Sequence, residues 1–97
     1  MFVHAVLFEI KPGEIKRYRS DCRLWAGYAR KASGFVGCYT MKRVGHKNQY
    51  ASVYEWKNKM SHDRFMKRHH DPLVGKSSAR VKVLGYYNMS AEYKLKK

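Results

Sequence analysis

The segment FVHAVLFEI at positions 2–10 is apolar on both of its sides. In an extended chain successive side chains point to opposite faces. Phe2, Val6, Phe8 and Ile10 therefore share one face, and Val3, Ala5 and Leu7 share the other. A strand with two apolar faces needs cover on both. A chain of 97 residues makes one domain and leaves a substantial share of its surface exposed, so a second copy is a natural source of the missing cover. The segment is read as a strand in a sheet with helices on one face and a second subunit's sheet on the other.

The remaining elements follow from periodicity and punctuation. Pro12 and Gly13 end the first strand and lead into a helix over Glu14 to about Lys31, where Ile15, Tyr18, Cys22, Trp25 and Ala29 recur at spacings of three and four. Ser33 and Gly34 stop it, Phe35 to Val44 reads as a second strand, and GHKN at 45–48 is a hairpin turn. The third strand carries Tyr50, Ser52, Tyr54 and Trp56 on one side and Ala51, Val53 and Glu55 on the other. It runs directly into a short second helix with Ser61 as N-cap, Asp63 in the first turn, and an end near His69. Asp71 and Pro72 resemble an N-cap and first-position pair that begins one further turn before Gly75. A last strand covers Val81 to Met89, with an extension through Tyr93 as an option. The order βαββαβ predicts a ferredoxin-like α+β sandwich, two helices on one face of a four-stranded antiparallel sheet. Its open face predicts a symmetric homodimer, in which sheets face one another. Residues 1–97 make a single domain, and the segment from about 90 to 97 is either a basic tail or a strand that crosses onto the neighbouring subunit.

Composition narrows the setting. Apolar residues make up 44% of the chain and aromatics 14%, ample for a core, and no apolar run approaches the roughly 20 residues that span a bilayer. The N-terminal segment lacks a basic leader and a small-residue cleavage site, so a cytoplasmic location without membrane attachment is the expectation. Cys22 and Cys38 form neither a CxxC pair nor a Cys/His metal spacing and are read as reduced structural thiols. The formal charge of +14 attracts polyanions. The basic residues are nevertheless spread along the whole chain, with no zinc finger, no RNP aromatics and no GxxG clamp, so a generally basic solvated surface is favoured over a nucleic-acid site.

The stretches LFEIKPG, SGFVGCY and YEWKNKMSHDRF together resemble the antibiotic-biosynthesis monooxygenase family of dimeric α+β barrels, over most of the chain. The resemblance implies subunits paired by their sheets. It also implies one of several activities, among them oxygenation of polycyclic phenols without a cofactor and haem degradation. The haem-degrading branch is disfavoured. Its pattern of a first-strand asparagine, a second-helix tryptophan and a following iron-binding histidine is replaced here by His4, Phe65 and a displaced His69–His70 pair. That pair beside Asp71 reads better as a helix-end feature. The set His62, His69 and His70 also depends on an unbroken helix to bring metal ligands together, and no metal site is assigned.

Oxygenation with no cofactor needs a bound phenol-like molecule, a base for its proton and donors for the resulting anion. His4 is the candidate base. Tyr54, Trp56 and Phe65 are candidate walls of an aromatic pocket, which His70 is also expected to reach, and Arg43 or Asn88 could hold an oxyanion. Each has a plainer structural alternative: a bonded core histidine for His4, a packed junction residue for Trp56, and surface strand residues for Arg43 and Asn88. Two functions of different class follow, a small-molecule enzyme or binder, and a non-catalytic dimeric module that holds an acidic partner such as nucleic acid. Salt separates them, because polyanion binding weakens steeply with ionic strength and occupancy of a buried aromatic pocket does not.

Overall fold

The structure is a computed structural model and describes residues 1–93 and 95. Strand β1 (Phe2–Glu9) is followed by a 3-10 turn (Pro12–Glu14), helix α1 (Ile15–Ala29), β2 (Phe35–Lys42), β3 (Gln49–Trp56), helix α2 (Lys59–Lys76) and β4 (Lys82–Ser90). The sheet is antiparallel in the order β2-β3-β1-β4, which is the ferredoxin-like arrangement predicted above. Among the described residues no helix is long and apolar enough to cross a membrane.

β1 is an interior strand, paired with β3 on one edge and β4 on the other. Its register sets Phe2 opposite Trp56 and His4 opposite Tyr54 on β3, and His4 opposite Asn88 on β4. These even-numbered positions face the helices. Phe2, Ala29, Trp56, Phe65 and Leu73 form the buried cluster there, flanked by Trp25, Tyr28 and Phe35. The odd-numbered side has no helix. On it Tyr39 pairs with Val53, Met41 with Ala51, Tyr87 with Ala5 and Met89 with Val3, and Tyr39, Met41, Tyr87 and Met89 are all about half exposed.

Local chemistry sets the joints. Gly34 ends the α1 turn at φ +84°, a conformation that costs a side chain energy, and a Cβ there would lie 2.1 Å from Ser61 Oγ. The α1–β2 connection thus lies directly on the first turn of α2, and Lys57 N donates to Gly34 O at 2.7 Å. The predicted hairpin is present, with Gly45 at φ +79° and Asn48 at φ 61°.

Three expectations are corrected. The N-cap of α2 is Asn58, whose Oδ1 accepts from Ser61 N at 2.9 Å and from Ser61 Oγ at 3.0 Å. Ser61 is therefore the capped partner, and the helix starts earlier than read. The helix also continues through Asp71 and Pro72 to Lys76, because proline removes only one N–H from a helix whose far end is anchored by the buried Leu73. His69 and His70 consequently lie inside α2 and are not a helix-end feature. Finally, β4 ends at Ser90, and Ala91 N donates to Met1 O at 2.9 Å, so the strand does not extend through Tyr93. The other part of the tail reading falls on Lys94, Lys96 and Lys97, which lie outside the described residues.

Candidate functional site

A cavity of about 440 Å³ lies between the sheet and the two helices. Its floor is the helix-facing side of the sheet: His4, Val6 and Phe8 of β1, Ser52, Tyr54 and Trp56 of β3, and Val83 and Tyr86 of β4, where a register shift opposite Leu7 and Phe8 puts an odd and an even residue on the same side. α1 contributes Tyr18, Cys22 and Trp25, and α2 contributes His62, Phe65, Met66 and His70. The link between α2 and β4 closes one side with Ser77, Ala79 and Val81. That link is held by carboxylates. Asp21 accepts from Ser78 N at 3.0 Å and Ala79 N at 2.9 Å, and Glu14 accepts from Arg80 N at 2.8 Å. The Arg80 amide, with Arg17 beside it, holds the Glu14 carboxyl below its ordinary range. Trp25 Nε1 donates to Ser77 Oγ at 2.9 Å, and Ser77 Oγ donates onward to Leu73 O at 2.8 Å.

Most of the predicted site residues meet here. His4, Tyr54, Trp56, Phe65 and His70 all line the cavity. Asn88, exposed on β4 opposite His4, is not among the lining residues but accepts the His4 Nδ1 proton at 2.6 Å. Because an amide oxygen only accepts, Nδ1 carries the proton and Nε2 is the basic nitrogen of the neutral ring. Burial pushes the His4 pKa below its ordinary value, the Asn88 bond acts in the opposite direction, and His62 and His70 lower it further. His4 is therefore held as a neutral imidazole. Arg43 lies elsewhere. It follows the end of β2, where its backbone N and Nη1 both bond Gln49, and so it does not face the cavity.

Two of the lining tyrosines, Tyr18 and Tyr54, are held as neutral phenols. Burial pushes Tyr54 far above the usual phenol range, with Cys38 adding to the effect. Burial also pushes Tyr18 up to about 12 against its hydrogen bonds to Ser52 and Thr40. Both cysteines are free and half-buried, and burial raises the Cys38 thiol.

His62, which the sequence offered only as a metal ligand with His69 and His70, also belongs to the cavity wall. Its ring lies 4.9 Å from Phe2, 4.7 Å from His4 and 6.3 Å from Trp56, centroid to centroid, and it is 8% exposed. The available signal was its spacing on α2, three, seven and eleven residues before Phe65, His69 and Leu73. Among the described residues no three His, Cys, Asp or Glu side chains are grouped to hold a metal ion. His69 instead packs between Tyr28 and Phe65, at 5.3 and 5.1 Å.

Comparison with solved structures matches the fold over nearly its whole length. SnoaB, a cofactor-independent oxygenase from Streptomyces nogalater, superposes with a TM-score of 0.79 at 15% identity, over 99% of this chain and 97% of that one. The fold is that of the antibiotic-biosynthesis monooxygenases. A structure described by that family name has a TM-score of 0.70 at 17% identity, covering 94% of this chain and 98% of the other. A putative antibiotic-biosynthesis monooxygenase from Deinococcus radiodurans has 0.69 at 11%, covering 100% and 98%. No protein-family model matches the chain, and no curated protein matches it in sequence.

Proposed function

We propose that this protein binds a phenol- or quinone-like aromatic molecule between its sheet and helices, and acts as a monooxygenase that draws its electrons from that substrate. The observation that carries this reading is His4: a neutral imidazole at the wall of an apolar, aromatic-lined cavity, with its tautomer set by Asn88. A cavity of about 440 Å³ is in the range of small-molecule sites. The likeness to a cofactor-independent oxygenase supports the same chemistry.

In this reading His4 Nε2 takes the proton of the substrate phenol, and the phenolate gives electrons to dioxygen. One oxygen atom bonds to a ring carbon and becomes a quinone carbonyl, with loss of the hydrogen that carbon carried. The other leaves as water, so one phenol and one dioxygen give one quinone and one water. The apolar walls exclude bulk water, which strengthens every polar contact inside. Oxygen uptake is the test, measured over a panel of naphthols and hydroquinones with wild type and His4→Ala. Uptake that falls at least about 100-fold in the variant supports His4 as the base. Equal rates remove it from the mechanism, and no uptake with any compound overturns the oxygenase reading.

The second part of the proposal is a homodimer paired through the odd-numbered sheet face. Tyr39, Met41, Tyr87 and Met89 make that face apolar and half exposed, and an extended apolar patch of this kind marks an interaction surface.

A further inference from the structure

Among the described residues, two buried polar atoms of cavity-lining side chains have no hydrogen-bond partner: Trp56 Nε1 and His62 Nε2. Their side chains are 1% and 8% exposed, and a buried polar group left unpaired is costly enough that native structures nearly always satisfy it. The two atoms differ in kind. Indole Nε1–H only donates. His62 Nδ1 donates to Asp63 Oδ1 at 3.1 Å, so in the neutral ring Nε2 carries a lone pair and accepts. A donor and an acceptor are therefore carried on neighbouring rings, 6.3 Å apart centroid to centroid, and the His62 ring lies 4.7 Å from that of His4.

We propose that Trp56 and His62 form a hydroxyl-recognition subsite, which selects aromatic ligands bearing a free hydroxyl over analogues that are methylated or unsubstituted. A hydroxyl accepts from the indole with a lone pair and donates its own proton to the imidazole, so one ligand oxygen satisfies both atoms. A methyl ether accepts from Trp56 but leaves His62 unpaired, and a bare hydrocarbon satisfies neither. The chain already contains a contrast for this pair. The other indole, Trp25 Nε1, is satisfied internally by Ser77, so only Trp56 is left to a ligand. This inference rests on the aromatic-ligand reading above and specifies which aromatic compounds the site takes.

Binding of naphthol, methoxynaphthalene and naphthalene to the full chain tests it, with no dependence on turnover. Wild type is expected to bind naphthol at least about tenfold more tightly than the methyl ether, although the ether is the more apolar ligand. In Trp56→Phe and in His62→Phe that preference is expected to fall below about threefold. As a second measurement independent of any substitution, the indole N–H resonance of Trp56 is expected to move further on naphthol binding than on naphthalene binding. Equal affinity of wild type for all three compounds, a preference kept in both variants, or a Trp56 resonance that moves no further with naphthol than with naphthalene overturns the subsite and leaves the aromatic cavity standing. If none of the three compounds binds, the cavity reading falls and the subsite with it.

Discussion

His4 donates its Nδ1 proton to Asn88 Oδ1 across 2.6 Å, and the two residues face each other in the β1–β4 register. This contact joins the candidate base to the strand most distant in sequence. It also determines which ring nitrogen is free for chemistry.

Acid should cost this protein stability through His4. The unfolded chain protonates His4 near a pH of about 6.5, and the folded one only at lower pH, because burial disfavours the charge and His62 and His70 add to it. Between those values the unfolded state holds more protons, so stability rises with pH through the window and is lost as pH falls. Urea midpoints for wild type and His4→Gln should therefore converge, or cross, as pH drops from about 7.5 to about 5. Parallel curves would show that His4 titrates normally.

Removing the acceptor should act on the same ring. Asn88→Leu keeps the approximate size but leaves the Nδ1–H without its partner, and the expected loss is about 1–3 kcal/mol in chemical denaturation. The bond to Asn88 favours the protonated ring, so an NMR titration should find His4 with a still lower pKa in the variant. A rise would contradict the assigned geometry.

Two glycines should respond in opposite ways. In Gly34→Ala the new methyl would meet Ser61 Oγ at 2.1 Å while the backbone stays at φ +84°, so we expect a loss of at least about 2 kcal/mol. Gly13 has nothing within 4 Å of its would-be Cβ, and Gly13→Ala should be neutral or stabilising by up to about 1 kcal/mol. Urea unfolding of the two variants side by side checks the pair.

Pro72 lies inside α2, in its last turns. Pro72→Ala restores an N–H that can reach the Arg68 carbonyl and should stabilise the fold by about 1–2 kcal/mol, read from the urea midpoint. A loss would mean that the proline's stiffness matters more than the missing bond.

If the odd sheet face pairs subunits, a charge placed on it should separate them. Tyr87→Glu combined with Met41→Glu is expected to halve the mass seen by light scattering, because a carboxylate desolvated in an apolar interface is costly. A wild type that already runs as a monomer would dismiss the dimer.

The sequence carried the element order well, because the signals were local. Period two in β1 and β3, helical spacing in α1, and the glycines at 34 and 45 each act within a few residues of themselves. Trp56 is both things it was weighed as, a packed junction residue at 5.2 Å from Phe65 and a wall of the cavity. Local rules failed at α2. Asp71–Pro72 has the form of a helix start, and only the packing of Leu73 beyond it shows that the helix continues. Ser61 has the form of a cap, yet Asn58 reaches it first. His62's place in the cavity wall was hidden for a different reason: its neighbours Phe2 and His4 come from the opposite end of the chain, and no periodicity reports contacts that distant. Arg43 shows the converse, since its charge suited an anion but its place at the end of β2 gives it to Gln49.

The alternation of β1 has one more consequence. From Val3 to Phe8 each residue serves either the cavity or the open face, and none serves both. A substitution at Val6 or Phe8 can reshape what the protein holds without touching how copies would meet, while a change at Val3 or Leu7 does the reverse, so the two properties are free to diverge independently. A single inserted residue within the strand would end that independence, because shifting the register by one exchanges the two sets wholesale. Variation among proteins of this fold should therefore tolerate replacement in the first strand far more readily than any change in its length.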